Sequence, residues 1–163
     1  MKNPPHSYEA ELSVLGSILT DPDSYIKVGD MVTADDFYAP KNQMIYAAMN
    51  DLISKNAKVD LITLSNHLSS QNLLEKSGGT PYLAELIETV PTSAHIVQYA
   101  MIVKHKSTLR KLLKAGQDIT ALSYEEDQDI ESLLETAEKQ LFAVSQNFVK
   151  DKFVHIKDVL TET

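Results

Sequence analysis

The sequence predicts an all-α fold, in which a small globular helical bundle is followed by a long antiparallel helical hairpin and the beginning of a further helix. Only 5 Gly and 6 Pro occur among 163 residues, too few for a turn-rich β fold. Apolar residues make up 43 % and charged residues 23 %, a composition typical of globular proteins that can bury a core. Apolar residues recur three and four positions apart through most of the chain, which is the spacing of amphipathic helices.

Residues 1–92 are predicted to form the globular subdomain, and its first helix follows a capping residue. Ser7 is suited to cap a helix that ends near Thr20, before the helix-breaking Asp21-Pro22 pair. Glu9 and Glu11 lie in the first turn, where the helix dipole favours negative charge. We interpret such first-turn carboxylates as serving the dipole and solubility. A short helix over 24–31 is expected next.

The rest of the subdomain is predicted from caps and prolines. Thr33 and Asp36 have the spacing of a capping box, and Pro40 suits the first turn of a helix that ends near residue 55. Residues 59–63 are short and β-branched like a strand, but Asp60 as a cap favours a helix there. Gly78-Gly79 predicts a turn, and Thr80-Pro81 predicts a helix that begins at Pro81 and ends near residue 90.

Residues 93–148 are predicted to form a helical hairpin. From 94 to 122 there is no Pro and a single Gly, so a helix of roughly 43 Å is expected. The polar, acidic stretch 123–129 predicts the connection to a returning helix with apolar residues at heptad spacing. That seam comprises Ile130, Leu134, Ala137, Leu141, Val144 and Phe148, and the facing seam Leu109, Leu112, Gly116 and Ile119.

Extra apolar residues beside this seam, Leu113, Leu122 and Leu133, indicate that the hairpin packs on something else. Periodicity leaves two alternatives open. Either the hairpin projects and associates with another copy, or it folds back on residues 1–100.

Residues 149–163 are predicted to be a polar hinge at 149–152 and the start of a further helix. Helical periodicity resumes with Phe153, Ile156, Val159 and Leu160, which form an apolar face with no partner in the sequence. We interpret the segment as an element that continues in a longer parent protein; the alternative is a frayed terminal helix.

The charge distribution is uneven. The net charge is −8, yet one short basic band interrupts the acidic chain: Lys104, Lys106, Arg110, Lys111 and Lys114. Three interpretations stay open, namely a solvated face or pairing with the acidic residues 125–138, docking to an acidic partner, and direct contact with DNA. The acidic net charge and the lack of aromatic residues in the band argue against nucleic-acid binding by this chain.

No catalytic, cofactor or metal site is predicted. The sequence contains no phosphate-binding Gly-x-x-x-x-Gly-Lys-Ser/Thr loop, no Gly-x-Gly-x-x-Gly and no Gly-x-Ser-x-Gly. Its five histidines lack metal-ligand spacing, and no cysteine is present. No signal peptide or membrane-spanning stretch is found in the sequence, which predicts a cytoplasmic protein.

Motifs spread over the whole chain resemble the N-terminal part of the bacterial replicative DNA helicases of the DnaB type. They include Pro4-Pro5-His6-Ser7, Asp36-Phe37-Tyr38, Val59-Asp60-Leu61-Ile62-Thr63, Gly78-Gly79, Val90-Pro91-Thr92, Lys106 with Leu109-Arg110, and Ile156-Lys157-Asp158-Val159-Leu160. Three positions depart from the family pattern: Asn42 (commonly His), His95 (commonly Asn) and Lys58 (commonly Pro). We interpret these as surface or capping-type changes.

The resemblance implies a non-catalytic domain that pairs through its hairpins and forms a collar, a trimer of dimers, on a hexameric ring. It implies that the collar receives the helicase-binding domain of primase, and a helicase loader is a further candidate partner. ATP and Mg would bind the motor domain of the parent protein, which lies beyond residue 163. An alternative is a free-standing helical adaptor, or the C-terminal helicase-binding domain of a primase.

The resemblance also assigns candidate sites. The hairpin and dimer interface is expected at Leu109, Leu112, Leu113, Leu133, Leu134, Leu141 and Phe148. The linker helix is expected to dock on a neighbouring subunit through Phe153, Ile156, Val159 and Leu160.

Overall fold

A computed structural model describes the backbone of residues 2–161 and the side chains of residues 2–149 and 160. The described backbone contains no strand, and the predicted all-α fold is confirmed. Its α-helices are α1 (Tyr8–Thr20), α2 (Pro40–Ser54), α3 (Leu61–Ser70), α4 (Gly79–Thr89), α5 (Ile96–Leu122) and α6 (Ile130–Thr161). Short 3-10 helices, Pro22–Lys27 and Ala34–Asp36, lie between α1 and α2.

The chain divides into two compact units. The globular unit contains residues 6–104, and the hairpin unit contains the chain from residue 105 onward together with the segment before residue 6. The boundary therefore lies within α5. The division predicted from the sequence, at residues 92 and 148, stays a prediction.

The globular unit buries a core contributed by α1 to α4 and the start of α5. Its largest fully buried side chains include Phe37, Tyr46, Leu15, Ile18, Leu83 and Ile96. α1 packs closely against α4, and Gly16 makes this approach possible. A Cβ on Gly16 would lie 2.3 Å from the Leu86 carbonyl oxygen and 2.5 Å from a Val90 methyl.

The helix starts in this unit follow mostly from the predicted caps. The Ser7 hydroxyl accepts the Ala10 N–H at 3.2 Å, and the Asp60 carboxylate accepts the Thr63 N–H at 2.8 Å. The latter bond holds the pKa of Asp60 below its ordinary value. The capping box is also present, with the Thr33 N–H donating to Asp36 at 2.8 Å.

Two predicted elements differ from the structure. α4 begins at Gly79, and its cap is Gly78 rather than Thr80. Gly78 has φ +94°, a left-handed conformation that glycine adopts without strain, so the chain enters the helix two residues earlier. The α-helix expected at 24–31 is instead a 3-10 helix over Pro22–Lys27.

The hairpin unit contains most of α5 and all of α6. The loop between them lies at 123–129, as predicted. The backbone of α6 continues through residues 149–152, where a hinge is expected from the sequence. Those four residues include neither Pro nor Gly, so local chemistry gives the helix no reason to end.

Candidate self-association surface of the hairpin

An apolar cleft runs between α5 and α6 within the hairpin unit. Its volume is about 330 Å³. It is lined by His105, Thr108, Leu109, Leu112, Leu141, Val144, Ser145 and Phe148. The two antiparallel helices therefore do not close over their own apolar side chains.

Most residues of the predicted interface lie at the edge of this cleft or outside it. Leu112, Leu113, Leu134, Leu141 and Phe148 have between 43 and 58 % of their surface exposed. Leu109 and Leu133 are partly buried. A row of half-exposed leucines on an otherwise polar helix pair is typical of a surface that a partner covers.

The buried line of α6 differs from the predicted seam. The less exposed positions between 130 and 149 are Leu133, Ala137, Gln140 and Val144, which recur at steps of 4, 3 and 4. Leu133 therefore belongs to the buried line rather than beside it, and Leu134 points outward. Leu133 and Leu134 are adjacent, so either can occupy the same position of the heptad, and Ala137 and Val144 belong to both lines.

Phe142 is an exposed aromatic residue that the sequence analysis does not single out. It has 63 % of its surface exposed and follows Leu141 directly. Phe142 does not lie at a seam position of the heptad, so hydrophobic periodicity does not identify it. The available signal is chemical, because Phe142 adjoins Leu141 and so enlarges the exposed apolar patch of the hairpin.

The basic band has several structural partners. Lys104, in the globular unit, lies 3.2 Å from the fully buried carboxylate of Asp36. In the hairpin unit, the Arg110 guanidinium donates to the Pro5 carbonyl at 2.8 Å, and Lys114 pairs with Asp118 at 2.9 Å. These three contacts do not involve residues 125–138, and the expected pairing of the band with those acidic residues stays a prediction. Lys106 and Lys111 are partly buried.

The predicted docking face of the linker helix falls largely outside the described side chains. This applies to Phe153, Ile156 and Val159. Leu160 is described and has 69 % of its surface exposed.

A buried polar network in the globular unit corrects two interpretations made from the sequence. Glu11 is not a solvated first-turn carboxylate, because it is 1 % exposed and accepts the N–H groups of Tyr38 and Ala39 at 2.8 and 3.2 Å. Asn42 is not a surface residue either. It is fully buried, donates to Glu11 at 2.9 Å, and accepts the Tyr82 hydroxyl at 2.6 Å.

This network fixes the start of α2. Ala39 is the N-cap residue of α2 and has no capping side chain of its own, so the carboxylate of Glu11 caps the helix from α1. Burial raises the pKa of the Tyr82 hydroxyl to about 12, with smaller contributions from Glu85 and Glu11 that the Asn42 hydrogen bond opposes. The side chains satisfy one another, which indicates a structural role.

Within the described part of the chain, no group of three or more His, Asp or Glu residues is placed to hold a metal ion. Nor does any helix among the described residues have the length and hydropathy needed to cross a membrane.

Comparison with known proteins defines the class to which this helical arrangement belongs. Residues 3–105 match the family model of the DnaB-like helicase N-terminal domain. The crystal structure of the N-terminal domain of DnaB helicase from Mycobacterium tuberculosis is similar, with a TM-score of 0.83 and 36 % identity, over 86 % of this chain and 99 % of that one.

Longer relatives extend the match. The replicative DNA helicase DnaC of Bacillus subtilis is 39 % identical over 98 % of this chain and 35 % of its own length. A DnaB-like replicative helicase whose structure was described with its interactions with primase gives a TM-score of 0.71 at 27 % identity, over 85 % of this chain and 31 % of that one.

The chain belongs to the DnaB-like helicase N-terminal domain family. It spans about a third of the length of the curated helicases that it matches. The family model that it matches is that of the N-terminal domain of such helicases.

Proposed function

We propose that this chain is the collar domain of a replicative DNA helicase, which assembles by pairing of its hairpins and docks primase at the replication fork in the bacterial cytoplasm. In the parent protein the pairs would form a hexamer as a trimer of dimers. The motor domain of that protein would bind ATP and Mg and unwind duplex DNA, as the name of the relatives, replicative DNA helicase, indicates.

The exposed apolar surface of the hairpin carries the first part of the proposal. Leu134, Leu141 and Phe148 follow one another at steps of 7, and each is about half exposed. This is the spacing of an interhelical seam, and a second hairpin would bury it. We define this set, together with Leu112, Leu113 and Phe142, as the hairpin seam.

A charge placed on the hairpin seam tests self-association. We expect Leu141→Glu to abolish dimers, because the carboxylate would have to be buried unpaired against the second hairpin. The matched control is Ile62→Glu, which introduces the same charge at a position on α3 that is 71 % exposed. Light scattering on both variants measures the result, and circular dichroism checks that each is folded. A Leu141→Glu variant with an unchanged oligomer would remove the hairpin as the interface.

Primase docking rests on the similar helicase whose structure was described with its interactions with primase. We expect the 163-residue chain to retain the helicase-binding domain of the cognate primase in a pull-down. Comparing the Leu141→Glu variant with its control, Ile62→Glu, then shows whether primase binding requires the dimer. Failure of a dimeric wild-type chain to bind at tens of micromolar would contradict this part of the proposal. Binding of a helicase loader and docking of the linker helix stay predictions of the family resemblance.

A further inference from the structure

Sulfur in this chain is present only as methionine. The sequence contains five Met and no Cys, so a peroxide that reaches the protein meets thioethers and no thiol. Of the four methionines whose side chains the structure describes, Met101 alone has more than half of its surface exposed, at 53 %. We propose that Met101 is a reversible oxidation site, at which hydrogen peroxide changes the surface of α5 and leaves the core of the globular unit intact.

The other described methionines are shielded by the fold. Met49 is fully buried and Met31 is 8 % exposed, and both belong to the core of the globular unit. Met44 is partly buried, and its sulfur accepts the Ser77 hydroxyl at 3.7 Å. A sulfur lone pair that is held in a hydrogen bond, or that no solute can approach, is a poor nucleophile toward peroxide. The fold therefore directs oxidation away from these three sulfurs.

The position of Met101 on α5 explains its exposure. The side of α5 that packs into the core carries Ile96, Ala100 and Val103, at steps of 4 and 3. Met101 follows Ala100 by one residue, which turns its side chain about 100° away from that line. Ile102 is 41 % exposed, so Met101 and Ile102 present an exposed apolar pair on the globular unit. An oxygen atom added to Met101 displaces no core side chain.

The oxidation step needs no reactant other than the peroxide. A lone pair on the Met101 sulfur attacks one peroxide oxygen, so that an S–O bond forms and the O–O bond breaks. The departing hydroxide takes the proton of the attacked oxygen and leaves as water, and the two electrons lost by the sulfur pass to the peroxide. Methionine sulfoxide reductases reverse the change with two thiols, which become a disulfide while the oxygen leaves as water. The product of oxidation is a polar sulfoxide beside Ile102.

Peptide mass spectrometry after peroxide treatment tests the proposal. Trypsin places Met101 in the peptide 77–104, Met31 in 28–41, and Met44 with Met49 in 42–55, so Met101 is followed separately. In the folded 163-residue chain we expect the peptide 77–104 to gain oxygen at least roughly tenfold faster than either of the other two. In urea-unfolded protein the rates per methionine should agree within roughly threefold, because the thioethers are then equally exposed. Equal rates in the folded chain would overturn the proposal.

The state of the core after oxidation is the second measurement. The oxidised chain should keep its near-ultraviolet circular dichroism and should melt within roughly 3 °C of the untreated chain. Loss of that signal in step with oxidation of Met101 would overturn the proposal, because the core would then have changed. Both methionine sulfoxide reductases together with a thiol should restore the mass of the peptide 77–104. A sulfoxide that is reduced only after the chain is unfolded would contradict reversibility.

Two matched variants identify the reacting residue. Met101→Leu keeps an apolar side chain of similar size, and its peptide 77–104 should no longer gain oxygen. Met49→Leu makes the same change at a fully buried position and should leave the rapid oxidation of Met101 as in the wild type. Oxygen uptake by the peptide 77–104 of Met101→Leu at the wild-type rate would assign the reaction to another residue and overturn the proposal.

Discussion

The globular unit and the hairpin unit treat their large apolar side chains differently. In the globular unit, Phe37, Tyr46 and Leu83 are fully buried, and even the carboxylate of Glu11 is enclosed with three hydrogen-bond donors. In the hairpin unit, Leu134, Leu141 and Phe142 keep half or more of their surface exposed. The first arrangement stabilises one chain, whereas the second leaves apolar area for a partner to bury.

The contrast predicts where substitutions act. Changes inside the globular unit should lower stability without altering self-association, and changes on the hairpin seam should do the reverse. Spectroscopy can separate the units, because six of the seven tyrosines lie in residues 6–104 and the seventh is Tyr124. Near-ultraviolet circular dichroism therefore reports mainly on the globular unit.

The largest expected loss of stability comes from Glu11→Ala. This change leaves the Tyr38 and Ala39 N–H groups and the Asn42 amide without their acceptor in a buried site, at a cost of about 3–5 kcal/mol. Urea unfolding followed through the tyrosines measures it. Glu9→Ala, at an exposed position of the same helix, serves as control. A loss no greater than that of the control would show that the network does not stabilise α2.

Gly16→Ala should be the next most damaging change. The added methyl would overlap the Leu86 carbonyl oxygen and a Val90 methyl, so α1 and α4 must move apart, at a cost of about 2 kcal/mol. Thermal unfolding gives the size of the effect. We expect the variant to dimerise as the wild type does. Loss of dimers together with loss of stability would show that self-association depends on the packing of the globular unit.

Tyr82→Phe should cost about 1–2 kcal/mol at neutral pH, because the buried Asn42 carbonyl oxygen loses its donor. The variant also has a pH signature. The pKa of Tyr82 is raised to about 12, whereas an unfolded tyrosine titrates near 10. As pH rises from about 10 to 12 the unfolded state loses this proton first, so the free energy of unfolding falls.

In Tyr82→Phe this contribution is absent, so the decline of stability above pH 10 should be shallower than in the wild type. Unfolding in urea at several alkaline pH values measures the slope. Tyr8→Phe, at a half-exposed position, serves as control. If the free energy of unfolding fell equally steeply with pH in the wild type and in Tyr82→Phe, the raised pKa of Tyr82 would be contradicted.

Gly116→Ala should give the smallest effect, and one of opposite sign. A Cβ at this position meets nothing within 4 Å, and glycine inside a helix is unfavourable, so stability should rise by about 0.5–1 kcal/mol. We expect far-ultraviolet melting of the hairpin to shift upward and the dimer dissociation constant to stay unchanged. A weaker dimer would place residue 116 in close contact with the second copy.

Local chemistry explains why much of the fold can be predicted from the sequence. Ser7, Asp60 and Pro40 mark helix starts through hydrogen bonds and backbone geometry that involve neighbouring residues only. The start of α4 is predicted wrongly because Gly78, not Thr80, is its N-cap. This depends on a left-handed backbone conformation at Gly78 that the local sequence does not specify.

The polar network is missed for a different reason. Glu11 and Asn42 are 31 residues apart, and nothing in either local sequence shows that the Glu11 carboxylate caps a helix elsewhere in the chain. The outward line of the hairpin is only partly predictable, since Leu133 and Leu134 satisfy the heptad equally well and packing decides between them.

The bond between Arg110 and the Pro5 carbonyl has a practical consequence for work on the isolated hairpin. Two stretches of the hairpin unit that are 105 positions apart in the sequence are joined there at 2.8 Å. The globular unit is thus, in chain order, an insertion between the first few residues and the hairpin. A fragment cut at residue 105 would discard the Pro5 carbonyl, and a short linker from residue 5 to residue 105 would keep it.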